Sequence, residues 1–395
     1  MNKPKTVMLY IILFSTMFLF GFVENVKGVS YPLIKTEFGI SYEQQGVMVS
    51  ILSIGYVLFS ILGGILIGRL GIKKPFLMGF ALMTIAFLGA FFLHRFFLVA
   101  VSLFLILASF GLFELSINAL ATRIFTVKTA LFFNLLHFFY GAGSAVSPLV
   151  AGRIASALSW RYAYLFCLPF ALLFCIPSIL TPFPKIETDE KIKNPAMTSG
   201  FLTALKTPMV WAFAITLGLM VSVELSSSNW SGLYFQDVYN LDPKTSGAVF
   251  ISNFYILFTV SRLFAGFIIE KTGYFRSLFF ASFAALVILV IGFSLGAKGI
   301  YVLPVLGFFV AIYWPTLLAT AAGYFKNEAP VMTSAVIVIA GTLNSVIQFM
   351  MGLTNRLIGP AWGYRSALFY SVLIIAALFI LVKSYRRFNG QASNS

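Results

Sequence analysis

The sequence predicts an all-α membrane protein with twelve transmembrane helices, arranged as two pseudo-symmetric six-helix bundles. Its composition, its recurring apolar segments and a weak internal repeat all support this fold class. Hydrophobic residues make up 60% of the chain and charged residues 10%, with a mean hydropathy of +0.96, whereas soluble domains contain about 25% charged residues. The composition therefore excludes a soluble enzyme.

A helix needs about 20 mostly apolar residues to cross the hydrocarbon layer. Segments of this kind recur along the whole chain and are separated by short polar or glycine-containing connections. The twelve predicted spans are, in order, Val7–Tyr31, Val47–Gly68, Phe76–Leu93, Phe97–Ala121, Leu131–Ala151, Tyr162–Leu180, Val210–Tyr234, Gly247–Ile269, Leu278–Leu295, Val302–Tyr324, Val331–Leu353 and Ala367–Val382.

One long polar stretch divides the chain into two halves of six spans each. It is flanked by prolines and rich in charged residues, which is typical of a linker. We predict an N-terminal bundle over residues 1–183, a cytoplasmic linker over 184–208 and a C-terminal bundle over 209–395. Gly64, Arg69 and Gly71 after the second span recur at one constant separation as Gly266, Lys271 and Gly273 after the eighth, which indicates a duplicated unit.

The net charge of +15 does not indicate a nucleic-acid partner, because lysine and arginine are distributed by loop. They concentrate at the two ends of the chain and on alternate loops, as at Lys73 and Lys74. The positive-inside rule then places both termini in the cytoplasm. We expect a multi-pass protein of the cell membrane, specifically a bacterial inner membrane, in contact with lipid and acting as a monomer.

Three carboxylates interrupt spans that are otherwise apolar. Glu24, Glu114 and Glu224 lie in the first, fourth and seventh spans. A charged group at this depth costs about 3 kcal/mol on insertion scales, so an intramembrane acid indicates a transport pathway or a proton site.

The repeated loops resemble those of the major facilitator superfamily, whose second loop carries a pattern of glycines, an Asp-Arg pair and basic residues. This chain has Gly68 where the acid is expected, but the second copy holds Glu270. In that family these loops latch the cytoplasmic side shut. The resemblance implies gating roles for the residues of both loops and for Arg262, which we expect to form an inner gate with Glu270. The predicted gating residues are Gly64, Arg69, Gly71, Arg262, Gly266, Glu270, Lys271 and Gly273.

A closer resemblance is to the fucose permease and bacterial glucose permease branch. It is carried by Gly111-Leu-Phe-Glu114-Leu-Ser-Ile-Asn118, by Asn134-Leu-Leu-His137, by Glu224 with Asn229 and Trp230, and by Tyr313-Trp314-Pro315-Thr316. One departure is that this branch has an intramembrane Asp in its first helix where this chain has Gly28.

This resemblance implies that the first, fourth, seventh and tenth helices line a central cavity. The acids would then surround one hydrated space, where an apolar setting favours the protonated form of a carboxyl. We favour Glu114 as the proton carrier; alternatively it is a permanently protonated group bonded to Asn118. Glu24 either takes part in coupling or forms a structural pair with Lys27, and Lys27 could instead anchor a substrate oxygen.

The polar residues near Glu224 suit a hydroxylated solute, because hydroxyl and amide groups orient a sugar and an indole stacks on its apolar face. For Trp230 the alternative is an interfacial belt residue, and for His137 it is a hydrogen bond between helices. The predicted substrate-binding residues are Lys27, Asn118, Asn134, His137, Ser228, Asn229, Trp230, Tyr313 and Trp314.

These features predict a proton-coupled secondary transporter that moves a small hydroxylated solute, with a monosaccharide favoured, by alternating access. The rival is a proton-driven exporter of drugs or toxic compounds, for which Gly143, Pro148 and Gly152 in the fifth span offer a partial signature. A cavity dominated by phenylalanine would favour the exporter. No nucleophile with a base, metal cluster or nucleotide loop is visible in the sequence, so we expect no enzymatic activity, cofactor or metal.

Overall fold

The computed structural model describes residues 3–126, 129–184, 201 and 203–392. The linker predicted over 184–208 therefore lies largely outside the described residues, and the domain boundaries stay a prediction. Within the described ranges, 12 helices are long and apolar enough to cross a membrane. The predicted fold class, an all-α protein with twelve spans, is confirmed.

We number the spanning helices in chain order. Their bounds are α1 Lys3–Phe38, α2 Tyr42–Leu70, α3 Lys73–Phe92, α4 Phe96–Ile124, α5 Thr129–Ala157, α6 Trp160–Leu180, α7 Pro208–Tyr239, α8 Ala248–Thr272, α9 Tyr274–Ser294, α10 Gly296–Phe325, α11 Ala329–Ile358 and α12 Ala367–Ala392.

Most helices extend beyond the predicted apolar segments by one or more turns. The start of α2 shows the reason: Ser41 and Gln44 form a reciprocal capping box, so the helix begins at Tyr42 through residues too polar for a hydropathy signal. Likewise α7 continues to Tyr239, where Asn240 ends it in the left-handed conformation at a φ of 54°. Hydropathy located the spans, and local capping sets their ends.

Helix α10 is the irregular span. It starts with 3-10 turns, runs as a short helix over Leu306–Val310 and resumes as a regular helix over Tyr313–Phe325. Pro315 follows the break and has no N–H, so the carbonyl of Ala311 lacks its helical donor.

Each half packs around its own apolar core and repeats one polar contact. In the N-terminal half the hydroxyls of Ser30 and Tyr164 lie 2.9 Å apart and join α1 to α6. In the C-terminal half the hydroxyls of Ser227 and Tyr364 lie 3.0 Å apart and join α7 to the turn before α12. The separate cores and these matching contacts support two pseudo-symmetric units.

Polar contacts join the two halves at the end of the bundle that carries the α1–α2 connection, which we call the closed end. There the Lys35 ammonium lies 3.6 Å from the Asp237 carboxylate, and the Tyr42 hydroxyl donates to the same carboxylate. Arg356 pairs with Glu43. These contacts connect α1 and α2 to α7 and α11, so they close the halves against each other.

Glycines let helix backbones of the two halves approach closely near the closed end. A Cβ on Gly352 would lie 2.7 Å from the Cα of Gly46, and one on Gly232 would lie 2.9 Å from the carbonyl oxygen of Gly28. Only a residue without a side chain fits such crossings. The α2–α11 and α1–α7 contacts are therefore specific to this arrangement of the halves.

The predicted gating loops lie at the opposite end, with the chain termini. Arg69 and Lys271 are exposed there, and so are Gly266, Glu270 and Gly273. Gly71 and Gly273 have positive φ values of 77° and 87°, which explains why glycine recurs at the turn after α2 and after α8.

The closed end should open when its glycine crossing is obstructed. The probe is Gln45→Cys in a background without the native cysteines (Cys167→Ala, Cys175→Ala), because Gln45 is 0% exposed beside this crossing. A valine at position 352 would push the two helices apart and expose the probe, so we expect Gly352→Val to increase its alkylation severalfold. The measurement is the rate of alkylation by a membrane-impermeant maleimide. Gly323→Val is the matched control, since a Cβ there meets nothing within 4 Å; equal rates in the two variants would contradict the expectation.

Candidate functional site

A cavity of about 200 Å³ lies between the two halves. Its walls come from α1, α2, α4 and α5 on one side and from α7, α8, α10 and α11 on the other. The charged and histidine side chains that line it are Glu24, Lys27, Glu114, His137, Glu224 and Arg262. None of the described lining residues comes from α3, α6, α9 or α12.

The structure brings the three intramembrane acids together. Glu24 on α1, Glu114 on α4 and Glu224 on α7 all line this cavity, and each side chain is partly buried. Buried charges need compensating partners or protonation, and the local partners of the three acids differ.

Glu24 is paired within its own helix. The Lys27 ammonium donates to the Glu24 carboxylate across one helical turn, and Lys27 is buried. Glu114 instead accepts a hydrogen bond of 3.1 Å from the amide nitrogen of Asn118, one turn further along α4. Both local contacts considered from the sequence are thus present. The Glu24 charge is balanced by a cation, whereas Glu114 has a neutral partner.

Arg262 lines the cavity, and its role in an inner gate with Glu270 stays a prediction. Its Nε donates to the Ala311 carbonyl at 3.5 Å, the carbonyl that Pro315 leaves without a helical donor. Its guanidinium lies 4.3 Å from the centre of the Phe258 ring. These two contacts hold the cation in the cavity, where it interacts electrostatically with Glu224 and Glu114. Glu270, two turns further along α8, is exposed near the C-terminal end of the helix.

An amide network holds α7 against α11 along the cavity wall. Gln348 accepts hydrogen bonds from the amide of Asn229 at 3.1 Å and from the indole of Trp230 at 2.8 Å. It donates in turn to Asn344 at 3.2 Å, and Asn344 also accepts from Ser222. Asn229 and Asn344 line the cavity, so Gln348 positions the polar groups that a solute would meet.

The predicted substrate-binding residues fall into two groups. Lys27, His137, Asn229 and Trp314 line the cavity, whereas Ser228, Trp230 and Tyr313 do not. Trp230 is 1% exposed because its indole turns toward Gln348, and Ser228 and Tyr313 are each 1% exposed inside the C-terminal half. Asn118 reaches the cavity only through Glu114, and the side chain of Asn134 lies outside the described residues.

Sequence reasoning missed several polar lining residues. Tyr31, Tyr56 and Tyr140 contribute phenols on α1, α2 and α5, and Asn344 contributes an amide on α11. Phe20 is the single phenylalanine among the described lining residues. An available signal was the helical spacing of Asn344 and Gln348 in an apolar span, which places two amides on one face.

Comparisons with known proteins agree with this architecture. The profile of the Major Facilitator Superfamily matches residues 13–349. The L-fucose-proton symporter of Escherichia coli K12 is 23% identical over 408 residues, covering 94% of this chain and 92% of that protein. Its crystal structure superposes with a TM-score of 0.69 at 17% identity, covering 96% of this chain and 99% of that one.

Two further proteins are similar over most of the chain. The hexuronate transporter of Bacillus subtilis 168 is 25% identical over 338 residues, covering 76% of this chain and 78% of that protein. The structure of a nucleoside transporter has a TM-score of 0.80 at 13% identity and covers 95% of this chain and 99% of that chain. At sequence identities of 17% and 13%, the structural similarity establishes a shared fold.

Gln348 should contribute to stability and Gln45 should not, although both are 0% exposed. Gln348→Met leaves the Asn229 and Trp230 donors without their acceptor, at about 1–3 kcal/mol for each unpaired group, so we expect a lower apparent melting temperature in detergent. The side-chain amide of Gln45 has no hydrogen-bond partner in the described structure, and Gln45→Met should leave that temperature unchanged or raise it. Equal losses in both variants would contradict this account of the amide network.

Proposed function

The chain belongs to the major facilitator superfamily, and on this premise we propose that it is a proton-coupled symporter of a small hydroxylated solute, most favourably a monosaccharide. Its relatives and structural neighbours are transporters, so the protein is a multi-pass membrane transporter and not an enzyme. The observation that carries the proposal is the convergence of three acids from α1, α4 and α7 on one cavity that also holds amide and phenol groups.

We assign proton coupling to Glu114 in the first place. Glu24 has Lys27 as a cation partner, so its charge is balanced without a proton. Within the described part of the chain, the one hydrogen-bond partner of the Glu114 carboxyl is the neutral amide of Asn118, and the cation Arg262 acts on it from the other half. Loss or gain of a proton at Glu114 therefore changes the electrostatic attraction between the halves, which couples the proton to their movement. Glu224, which also interacts with Arg262, is the second candidate.

The lining favours an uncharged solute with hydroxyl groups. Among the described lining residues, three carboxyls face two basic side chains, Lys27 and Arg262, and Lys27 is already paired. This part of the lining therefore offers no surplus of positive charge for an acidic sugar. The amide side chains of Asn229 and Asn344 line the cavity beside the phenols of Tyr31, Tyr56 and Tyr140, and groups of these types can exchange hydrogen bonds with solute hydroxyls. Trp314 supplies an aromatic face. The E. coli relative is named for L-fucose and a proton, which agrees with this choice.

The exporter alternative receives less support from the cavity. Phenylalanine does not dominate the lining, and tyrosine hydroxyls, amides and charged groups surround the space. The phenylalanine-dominated cavity expected for an exporter is therefore not found among the described lining residues, and the placed polar groups can orient a hydroxylated solute.

We infer that the structure represents the carrier open toward the end that holds the termini. Ion pairs and glycine crossings join the halves at the closed end, while Arg69 and Lys271 of the repeated loops are exposed at the other. The distribution of lysine and arginine supports a cytoplasmic location for both termini. In that orientation, in a bacterial inner membrane, this is the inward-open state. One chain encloses the cavity, so we propose a monomer as the transport unit.

Removing the proton site should stop accumulation of sugar against its gradient without stopping exchange of sugar across the membrane. We expect Glu114→Gln to abolish uphill uptake of monosaccharide into proteoliposomes under an imposed pH gradient, while counterflow exchange of the same sugar persists, because the amide preserves hydrogen bonding and cannot ionise. The control is Glu328→Gln, which removes an exposed carboxyl outside the cavity. Normal accumulation by Glu114→Gln would remove this residue from coupling.

Trp314 should contribute to sugar affinity through its ring. An aromatic contact is worth about 0.5–1.5 kcal/mol, so we expect Trp314→Ala to raise the KM for uptake about two- to tenfold, with a smaller change for Trp314→Phe. Trp211, which is 44% exposed, provides the control Trp211→Ala. The measurement is initial uptake rate against sugar concentration, and an unchanged KM in Trp314→Ala would rule out stacking at this position.

A further inference from the structure

A second cavity of about 450 Å³ lies outside the transport site, between α8, α9 and the middle of α10. All of its lining residues belong to the C-terminal half. Ile268 and Phe280 on its rim are 52% and 68% exposed, so the cavity is a groove that opens on the outer surface of the bundle. Phe309 forms its inner wall, with its ring centre 6.0 Å from that of Phe280.

The walls of this groove are apolar and its mouth is cationic. Ala265, Ile269, Phe308 and Ile312 lie inside, and Lys271 and Arg276 line the end nearest the chain termini. Both cations are exposed, and neither has an ion pair within the described part of the chain. The neighbouring acid at residue 270 is not among the lining residues.

Hydroxyl groups lie beside the two cations. The side chains of Thr272 and Ser277 line the mouth and lie 2.6 Å apart, oxygen to oxygen. They connect the last turn of α8 to the first turn of α9, the level at which the apolar helices end. The mouth is therefore at the depth where lipid headgroups meet the hydrocarbon layer.

Lysines and arginines at this depth attract anionic headgroups, and an apolar groove excludes water and accepts hydrocarbon. We propose that this groove binds one anionic phospholipid from the leaflet on the side of the chain termini. Its headgroup phosphate lies between Lys271 and Arg276, and one acyl chain lies along Ala265, Phe280 and Phe309. The charge at the mouth and the apolar wall beneath it match the two parts of such a lipid.

The test is native mass spectrometry of the purified full-length protein with phosphatidylglycerol and phosphatidylcholine of identical acyl chains. Each basic residue contributes about fivefold to affinity for an anionic lipid surface, so we expect a preference for phosphatidylglycerol of at least about tenfold. Lys271→Gln with Arg276→Gln should remove that preference. Arg386→Gln with Arg387→Gln removes two exposed cations from α12 at the same end and should preserve it.

Two further arms test the acyl groove and the identity of the anion. Ala265→Trp fills the groove without changing charge and should lower the retention of phosphatidylglycerol about tenfold. Soluble glycerol phosphate should fail to displace the lipid at equal concentration. Equal retention of the two lipids by the unmodified protein, equal losses in the two double variants, or displacement by glycerol phosphate would each overturn the proposal.

Discussion

A carboxyl group inside the membrane must have either a charged partner, a hydrogen-bonding partner or a proton, because hydrocarbon provides none of these. The arrangement of this protein depends on that constraint. Glu24 meets it with Lys27, and Glu114 meets it with Asn118. Arg262, which lines the cavity from the opposite half, is held by a backbone carbonyl and an aromatic ring. The helix faces that carry these groups must point away from lipid. The positions of the groups in the sequence therefore also determine which faces enclose the cavity.

The two halves are suited to move as units around this site. Each has its own apolar core, whereas the closed end is joined by the Lys35–Asp237 and Arg356–Glu43 ion pairs and by glycine crossings such as Gly46 with Gly352. The contacts at the closed end can separate without disrupting either core. The backbone of α10 is irregular at Ala311 before Pro315, where Arg262 donates to the freed carbonyl, and such irregularity is tolerated in membranes where protein surrounds it.

Hydropathy predicted the number and order of the spans because a membrane helix is defined by its average composition. It could not predict helix ends, which depend on caps such as Ser41 with Gln44. The acids of the cavity were recognisable because ionisable residues are rare at this depth. The sequence could not show which way each tryptophan side chain points: Trp314 reaches the cavity, whereas Trp230 turns toward Gln348 on another helix. Helix rotation and packing decide that difference, and neither appears in one segment alone.

The proposed mechanism requires protons to move together with the solute through the cavity shared by the three acids. The most direct measurement is the internal pH of proteoliposomes in sodium-free buffer, without an imposed gradient, after a monosaccharide is added outside. Symport predicts acidification of the lumen that follows sugar entry and stops at equilibrium. Sugar entry with an unchanged lumenal pH, or with alkalinisation, would contradict the account.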